Sequence, residues 1–218
     1  MHTYFQIQNK GANKRARTRS ALIDSAITIF SEKSFEEVKI SDIAHSAGLA
    51  NGTFYNHFKD KDELVIATAQ AIAFEIAKSF DDKMANVQRG LTRIIVATSA
   101  FLQTAANSPE WGRVLIEHAH RQISSDVAAT TFLQADLKLA ASQQKLAITL
   151  DAFLIEQVSA LVLAAMRKQL HNPQDTSISQ RTCENVLRLL GLSPKQAHKE
   201  VTRAAPYLLN IGINNNTP

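Results

Sequence analysis

The sequence lacks the residues that disulfide-bonded, zinc-cluster and membrane proteins need. Among its 218 residues there is one cysteine, Cys183, which excludes an internal disulfide and a zinc cluster built on cysteines. The most apolar stretch, residues 153–166, is interrupted by Glu156 and Gln157 and is too short to cross a bilayer. Residues 1–19 contain no apolar run of the kind found in signal peptides. We therefore expect a cytoplasmic protein in a reducing compartment.

Residues that interrupt helices are also scarce, with 7 Gly and 5 Pro in the chain. No apolar/polar alternation of the kind that a half-buried strand needs is sustained anywhere, whereas apolar residues recur at helical spacing. The sequence therefore predicts an all-α fold with about nine to ten helices in total. The predicted helices span residues 18–33, 41–47, 51–57, 61–83, 86–107, 109–117, 124–142, 150–170, 179–190 and 194–204.

Several helix ends carry recognisable signals. Thr18 or Ser20 is the candidate N-cap of the first helix. Gly48 and Gly191 stand where helices close in a left-handed turn. Further caps are predicted at Asp60 with Glu63, at Ser108 before Pro109, and at Ser193 with Gln196.

Acidic residues are absent from the first 23 positions, which carry Lys10, Lys14, Arg15, Arg17 and Arg19. The formal net charge of the whole chain is +4 and the pI is about 9.2. Two interpretations of this basic segment stay open: a solvated, disordered tail, or an arm that contacts a polyanion. We expect residues 1–16 to form a basic disordered arm and residues 210–218 a flexible tail.

The two short helices at 41–47 and 51–57 have the spacing of a helix-turn-helix, joined by Gly48-Leu49-Ala50. The glycine permits the sharp bend, and a second helix lying in the major groove needs small or polar exposed residues. The predicted inner face is formed by Ile43, Ala44, Leu49, Phe54 and Phe58, and the outer face by Asn51, Thr53, Asn56 and His57. The alternative is an ordinary corner between two helices.

The longer string resembles the signature of a known family. It comprises Ile43-Ala44, Ala47-Gly48-Leu49 and residues 52–64, preceded by Ser25-Ala26 and Ile29-Phe30 and then Phe35. On residues 17–64 the chain is similar to the TetR family of transcriptional regulators, and beyond them it is similar only in length and helix count. Three positions depart from the family pattern, where Ser34 replaces a glycine, Lys39 a threonine and Ala50 a small hydroxyl residue. With Ala50 at that position, Asn51 is a candidate cap as well as a candidate base contact.

The resemblance implies a helix-turn-helix DNA-binding domain at residues 17–60, whose third helix contacts base edges through Asn51, Gly52 and Thr53. Phosphate contacts are implied for Tyr55, His57 and Lys61, and contacts to the opposite backbone for Lys39 and Ser41. Arg17, Thr18 and Arg19 are expected to contact phosphate or the adjacent minor groove, and Asn56 points outward. The alternatives are packing of Tyr55 on the first helix, capping of a helix end by His57, and simple solvation of Lys61.

The resemblance also implies that residues 61–209 form a helical domain for ligand binding and dimerisation. A homodimer is expected to bind double-stranded operator DNA, and a small-molecule inducer, apolar or aromatic, to alter the separation of the two DNA-contacting helices. The candidate pocket residues are Phe74, Phe101, Trp111, Leu115, Phe132 and Phe153. The candidate dimer contacts are Leu154, Val158, Leu161, Val162, Ala165, Val186, Leu187 and Leu190. For both sets the alternative is the intramolecular core.

The sequence gives little support for a metal site, a cofactor site or an active site. Glu117-x-x-His120 has no second copy, as a di-iron helical bundle would need, and His118 and His120 do not share a helix face. No phosphate-binding loop, dinucleotide motif or nucleophile elbow is present, so we expect neither a cofactor nor an enzyme. The sequence predicts a repressor released from a palindromic operator by an inducer. The alternatives are a DNA-binding structural or adaptor protein without an inducer, and a helical-bundle enzyme.

Overall fold

The computed structural model describes residues 4–5, 11, 13–121, 127–144, 146 and 148–213. Within this part of the chain all regular structure is helical, which confirms the predicted fold class, and no helix is both long and apolar enough to cross a membrane. Within the described residues, the helices are α1 (Lys14–Glu32), α2 (Ile40–Ser46), α3 (Asn51–Tyr55), α4 (Lys61–Lys83), α5 (Gly90–Asn107), α6 (Pro109–Arg121), α7 (Val127–Gln143), α8 (Ala152–His171), α9 (Ser177–Leu189) and α10 (Pro194–Asn210).

The chain divides into two compact units that differ from the predicted domains. The first comprises Met1–Ile72 and Pro109–Gln122, and the second comprises Ala73–Ser108 and Ile123–Pro218. Helix α4 therefore contributes to both units, and α6 belongs with the predicted DNA-binding helices because it packs against α1. A boundary at residue 60 does not describe this arrangement.

Helix α1 is the centre of the first unit. It begins at Lys14, because the Asn13 side chain accepts a hydrogen bond from the Ala16 N–H at 2.9 Å. The predicted cap at Thr18 or Ser20 was wrong, and residues 14–16 of the predicted arm are helical. Its apolar side is deeply buried, with Leu22 at 0% exposure.

Two residues of the predicted disordered arm are docked on this unit. The Phe5 ring is buried and stacks on Trp111 of α6, and Tyr4 meets Trp111 edge to face. The Phe5 N–H donates to the carboxylate of Asp24, which is fully buried, at 3.0 Å. The expectation of disorder is therefore corrected at Tyr4 and Phe5, whereas residues 1–3, 6–10 and 12 lie outside the described residues.

The turn after α1 avoids the strain that Ser34 would suffer in a left-handed conformation. No described residue other than glycine has a positive φ. Lys33 ends the helix in an extended conformation, and both the N–H and the hydroxyl of Ser34 donate to the Glu37 carboxylate. A glycine is therefore not needed at this turn.

In the second unit, α5 packs against α7, α8, α9 and α10. Its first residue, Gly90, lies so close to α7 that an added Cβ would stand 2.2 Å from the backbone nitrogen of Ala140. One turn further on, the Arg93 guanidinium donates to the carboxylates of Asp81 and Asp136 and to the Met84 carbonyl. These contacts join three segments of the unit, and Asp136 is buried whereas the Asp81 side chain is 37% exposed.

The C-terminal helices begin at the expected caps but extend further than predicted. Ser193 and Gln196 form the reciprocal capping box that the sequence predicts, and Gly191 has a φ of +90°. Helix α10 continues past the predicted end at residue 204, because Leu208 packs into the core. Ile213 is 1% exposed, so the predicted flexible tail is corrected at 211–213, and residues 214–218 lie outside the described residues.

Candidate nucleic-acid interface

The turn between α2 and α3 has the geometry that the sequence predicts. Gly48 has a φ of +69°, and the Leu49 N–H donates to the Ala44 carbonyl at 2.8 Å, which closes the end of α2. The side chains of Ile43, Ala44, Phe54 and Phe58 are buried. The pair is therefore held by its apolar inner face, and α3 keeps its other face exposed.

The exposed face of α3 carries the residues expected to contact bases. Asn51, Gly52, Tyr55 and Asn56 are exposed, and Thr53 is half-buried. Ala50 is the N-cap and Asn51 is the first helical residue, so the alternative of a capping role for Asn51 was wrong. Its amide is therefore available to an external partner.

Tyr55 does not pack on α1, contrary to the alternative interpretation. It is 59% exposed, and it meets the neighbouring Phe54 ring edge to face. An exposed phenol on a short polar helix suits a hydrogen bond to a phosphate oxygen.

Nothing in the structure of the protomer requires a glycine at position 52. Its φ is not positive, and an added Cβ would meet nothing within 4 Å. A glycine inside a helix is nevertheless less favourable than alanine by about 1 kcal/mol. Close approach of DNA to the backbone of α3 stays a prediction for Gly52.

Helix α1 brings two arginines to the end of the helix-turn-helix. The Arg19 guanidinium lies 5.1 Å from the centroid of the Phe58 ring, and Arg15 is exposed one turn before it. Burial, followed by the charges of Arg15 and Arg19, lowers the pKa of the half-buried His57. The C-cap of α3 is Asn56, so His57 does not fill that position. Arg15 was missed, because only the tertiary structure shows which face of α1 meets this turn.

Lys61 contacts the segment between α1 and α2. Its ammonium group donates to the carbonyls of Phe35 and Val38 and lies 4.1 Å from the centroid of the Phe35 ring. Two of its three donors are therefore used to hold the segment between α1 and α2. The alternative of simple solvation was therefore wrong, and the phosphate contact of Lys61 stays a prediction that its third donor allows.

The remaining candidates lie at the starts of α1 and α2. Lys39 is exposed at the N-cap of α2, where its backbone N–H donates to the Asp42 carboxylate and its side chain accepts no cap hydrogen bond. Ser41 is half-buried in the first turn. Arg17 is exposed, and the Thr18 hydroxyl donates back to the Lys14 carbonyl at 2.9 Å.

Residues 22–68, which include this helix-turn-helix, match the family model of bacterial regulatory proteins of the tetR family. Residues 22–68 are therefore a TetR-family DNA-binding domain. Members of the TetR family are DNA-binding regulators and not enzymes, in agreement with the sequence prediction.

Solved structures share the TetR-family fold at low sequence identity. RolR in complex with resorcinol is 23% identical over 87% of this chain and 95% of its own, with a TM-score of 0.68. FadR from Bacillus subtilis in complex with stearoyl-CoA is 16% identical over 79% of this chain and 98% of its own, with a TM-score of 0.58. A gamma-butyrolactone receptor is 16% identical over 90% of this chain and 100% of its own, with a TM-score of 0.59. At these identities the likeness concerns the fold alone.

The pocket residues expected of a TetR-family regulator are divided between the two units. Phe74, Phe101 and Phe132 are half-buried in the second unit, where the Phe74 and Phe132 rings lie 5.9 Å apart. Trp111 and the buried Leu115 belong to α6 and the first unit. Phe153 belongs to the second unit and is 65% exposed, so it does not line an enclosed cavity of this protomer.

The residues expected at the dimer interface of a TetR-family protein fall into a buried group and a half-buried group. Val186, Leu187 and Leu190 are each 0% exposed and lie inside the protomer, so the expected subunit contact is corrected for these three. Leu154 and Val158 are likewise buried. Among the candidates, Leu161, Val162 and Ala165 are half-buried on α8. The exposed residues Phe153, Ala160 and Ala164 lie along the same helix.

Proposed function

We propose that this TetR-family regulator is a repressor that binds a palindromic operator as a homodimer and is released by a small-molecule inducer. The observation that carries the DNA-binding part is the exposed face of α3, with Asn51, Gly52 and Tyr55 accessible while Phe54 is fully buried. A helix whose inner face is apolar and whose outer face is polar and open at a glycine is suited to the major groove.

Positive charge around α3 supports the same proposal. Arg15, Arg17 and Arg19 on α1 and Lys39 before α2 are exposed. Cationic side chains on both sides of a groove-contacting helix position it through phosphates without specifying the sequence. We therefore assign base contacts to Asn51, Gly52 and Thr53, and phosphate contacts to Tyr55 and these cations.

The inducer is proposed by analogy with ligand-bound structures of the same fold, and aromatic side chains of the second unit support the proposal. RolR was solved with resorcinol and FadR with stearoyl-CoA, so this fold accommodates ligands of very different size. In the second unit, the half-buried rings of Phe74, Phe101 and Phe132 offer aromatic surface to an apolar or aromatic ligand. An inducer would act only through a difference in its affinity for the DNA-bound and free conformations.

The homodimer is proposed to form along α8. Phe153 is the most exposed large apolar side chain of the described residues, and Leu150 before the helix is 43% exposed. The small exposed residues Ala160 and Ala164 allow close approach of a second helix further along α8. A two-fold dimer would present two copies of α3, which must lie about 34 Å apart to occupy successive turns of one groove.

The DNA-binding proposal is tested with duplexes selected by the full chain from a random pool. Dissociation constants for a selected duplex and its scrambled version are compared at one salt concentration. We expect a palindromic selected sequence and a preference of about a thousandfold or more. Thr53→Ala should relax the preference, whereas Tyr55→Phe should weaken binding to both duplexes equally. Equal affinities of the wild-type chain would overturn sequence-specific binding.

The inducer proposal competes with a structural or adaptor protein that needs no ligand. Native mass spectrometry of the purified chain measures both its subunit number and any co-purified ligand. We expect a dimer, and release of operator DNA on addition of the captured compound or of a small aromatic probe such as resorcinol. A dimer whose operator affinity no captured or added compound alters favours the adaptor. A monomer on DNA overturns the two-fold proposal.

A further inference from the structure

His57 lies in the turn after α3 and directly precedes Phe58, whose ring Arg19 of α1 covers. Its backbone N–H donates to the Phe54 carbonyl at 2.9 Å, which fixes the turn, and its side chain is half-buried. The following residue, Phe58, is 2% exposed and supports the Arg19 guanidinium at 5.1 Å from its ring centroid. Arg15 is exposed one helical turn before Arg19, so both arginines are on the side of α1 that meets the turn.

The positive charges near the His57 imidazole are not fully offset by negative ones. From α1, Arg15 and Arg19 act on it, and together with burial they lower the pKa of His57. From α4, Glu63 acts on Arg19, and it accepts the Lys59 N–H. In the turn itself, the Lys59 ammonium lies 3.7 Å from the Asp60 carboxylate. At neutral pH the ring of the free protein is therefore neutral beside two cations.

We propose that Arg15, Arg19 and His57 bind one DNA phosphate together and that His57 takes up a proton from solvent when this phosphate arrives. The inference rests on the proposed DNA-binding function and adds a regulation by pH to it. A phosphate brings negative charge and acceptor oxygens to a place that holds two cations and a neutral ring. The phosphate offsets the repulsion between the arginines and a protonated ring. It also accepts a charge-assisted hydrogen bond from that ring, which stabilises the protonated form.

The direction of the pH effect follows from linkage. In the free protein the pKa of His57 lies below its ordinary value, and in the complex it lies higher because of the phosphate. Between these two values the complex binds more protons than the free protein does, so affinity rises as pH falls. Each histidine contributes at most about tenfold per pH unit, and the two copies in a dimer at most about a hundredfold.

The test measures dissociation constants of the full chain for the selected duplex and its scrambled version from about pH 5.5 to about pH 8.5, at constant salt. We expect tighter binding at low pH on both duplexes, since a phosphate contact is independent of sequence. His57→Gln, which keeps the size and polarity of the side chain, should remove the slope. His45→Gln, which replaces the exposed histidine of α2, should leave it unchanged.

A second measurement does not depend on the folding of the His57 variant. NMR titration of the free protein should show that Arg15→Gln raises the pKa of His57, because one of the two repelling charges is lost. The same variant should reduce the salt dependence of DNA binding by about one phosphate contact per subunit. An unchanged pKa of His57 in Arg15→Gln would overturn the proposed cluster.

The outcomes separate this inference from the regulator itself. Preference for the selected duplex with a pH slope that His57→Gln does not alter overturns the inference alone. A slope that depends on His57 but is accompanied by equal affinity for both duplexes supports the inference and overturns sequence-specific regulation. Binding of neither duplex at any pH overturns both.

Discussion

The Lys61 ammonium group lies 4.1 Å from the centroid of the Phe35 ring, on the segment that joins α1 to α2. It also donates to the carbonyls of Phe35 and Val38, which precede α2. A lysine at the start of α4 thus fixes the entry of the helix-turn-helix. Two of its three donors are therefore used within the protein.

We predict that Lys61→Ala lowers the free energy of unfolding by about 1–3 kcal/mol, because two carbonyls lose a charged donor and Phe35 loses a cation. Chemical denaturation followed by circular dichroism measures this change. Lys59→Ala is the control, since the Lys59 side chain is 79% exposed and should contribute little. Full stability of Lys61→Ala together with loss of one phosphate contact in the salt dependence would show that Lys61 acts through the phosphate contact alone.

We predict that Gly52→Ala raises the stability of the free protein and lowers its affinity for the operator. We expect the free protein to gain up to about 1 kcal/mol of stability, since the added methyl group meets no atom within 4 Å and alanine favours the helix. Operator affinity should fall at the same time, because the methyl group occupies the space in which α3 approaches DNA. Thermal unfolding and fluorescence anisotropy provide the two readouts. Unchanged affinity would show that the backbone at Gly52 does not approach the bases.

Gly90→Ala should destabilise the second unit strongly. The new Cβ would stand 2.2 Å from the Ala140 nitrogen and 2.6 Å from its Cα, and neither backbone atom can move away without shifting α7. A loss of about 1–3 kcal/mol or more is expected in urea denaturation. Gly11→Ala introduces the same group into open space and should have little effect. Equal stability of the two variants would mean that α5 and α7 are further apart than described.

We predict that removing the Arg93 cation lowers the free energy of unfolding more than removing the charge of its partner Asp136 does. Arg93→Met leaves the carboxylates of Asp81 and Asp136 facing one another, and a loss of about 3–5 kcal/mol is expected. Asp136→Asn should cost less, because burial already raises the pKa of Asp136 and makes its charged form unfavourable. Urea denaturation of both variants compares the two losses. An Asp136→Asn loss as large as that of Arg93→Met would contradict this account.

Local signals were predictable because a few neighbouring residues determine them. The left-handed turn at Gly48 and the capping box of Ser193 and Gln196 are both confirmed. The start of α1 was missed because Asn13, preceded by residues with no apolar periodicity, gave a weaker signal than the hydroxyl residues further along. The end of α10 was missed because its last turns are held by burial of Leu208 rather than by a local stop.

The candidate site was predictable where it depends on α3 itself and not where distant segments meet. Asn51 and Tyr55 are exposed as expected, since the alternation of faces on a short helix is a local property. The partners of Lys61 lie 23 and 26 residues away along the chain, and no spacing rule connects them. For the same reason Arg15 did not stand out from the other cations of α1.

The amino-acid sequence by itself determined that the chain is helical, where the helix-turn-helix bends, and which family the DNA-binding domain matches. These properties depend on hydrogen bonds, caps and periodicities within a few turns of one helix. Only the tertiary structure decided that α6 joins the DNA-binding helices, that Val186 and Leu187 lie inside the protomer, and that Arg19 lies over the Phe58 ring beside His57. The physical reason is that burial and electrostatic environment depend on which remote surfaces are packed together.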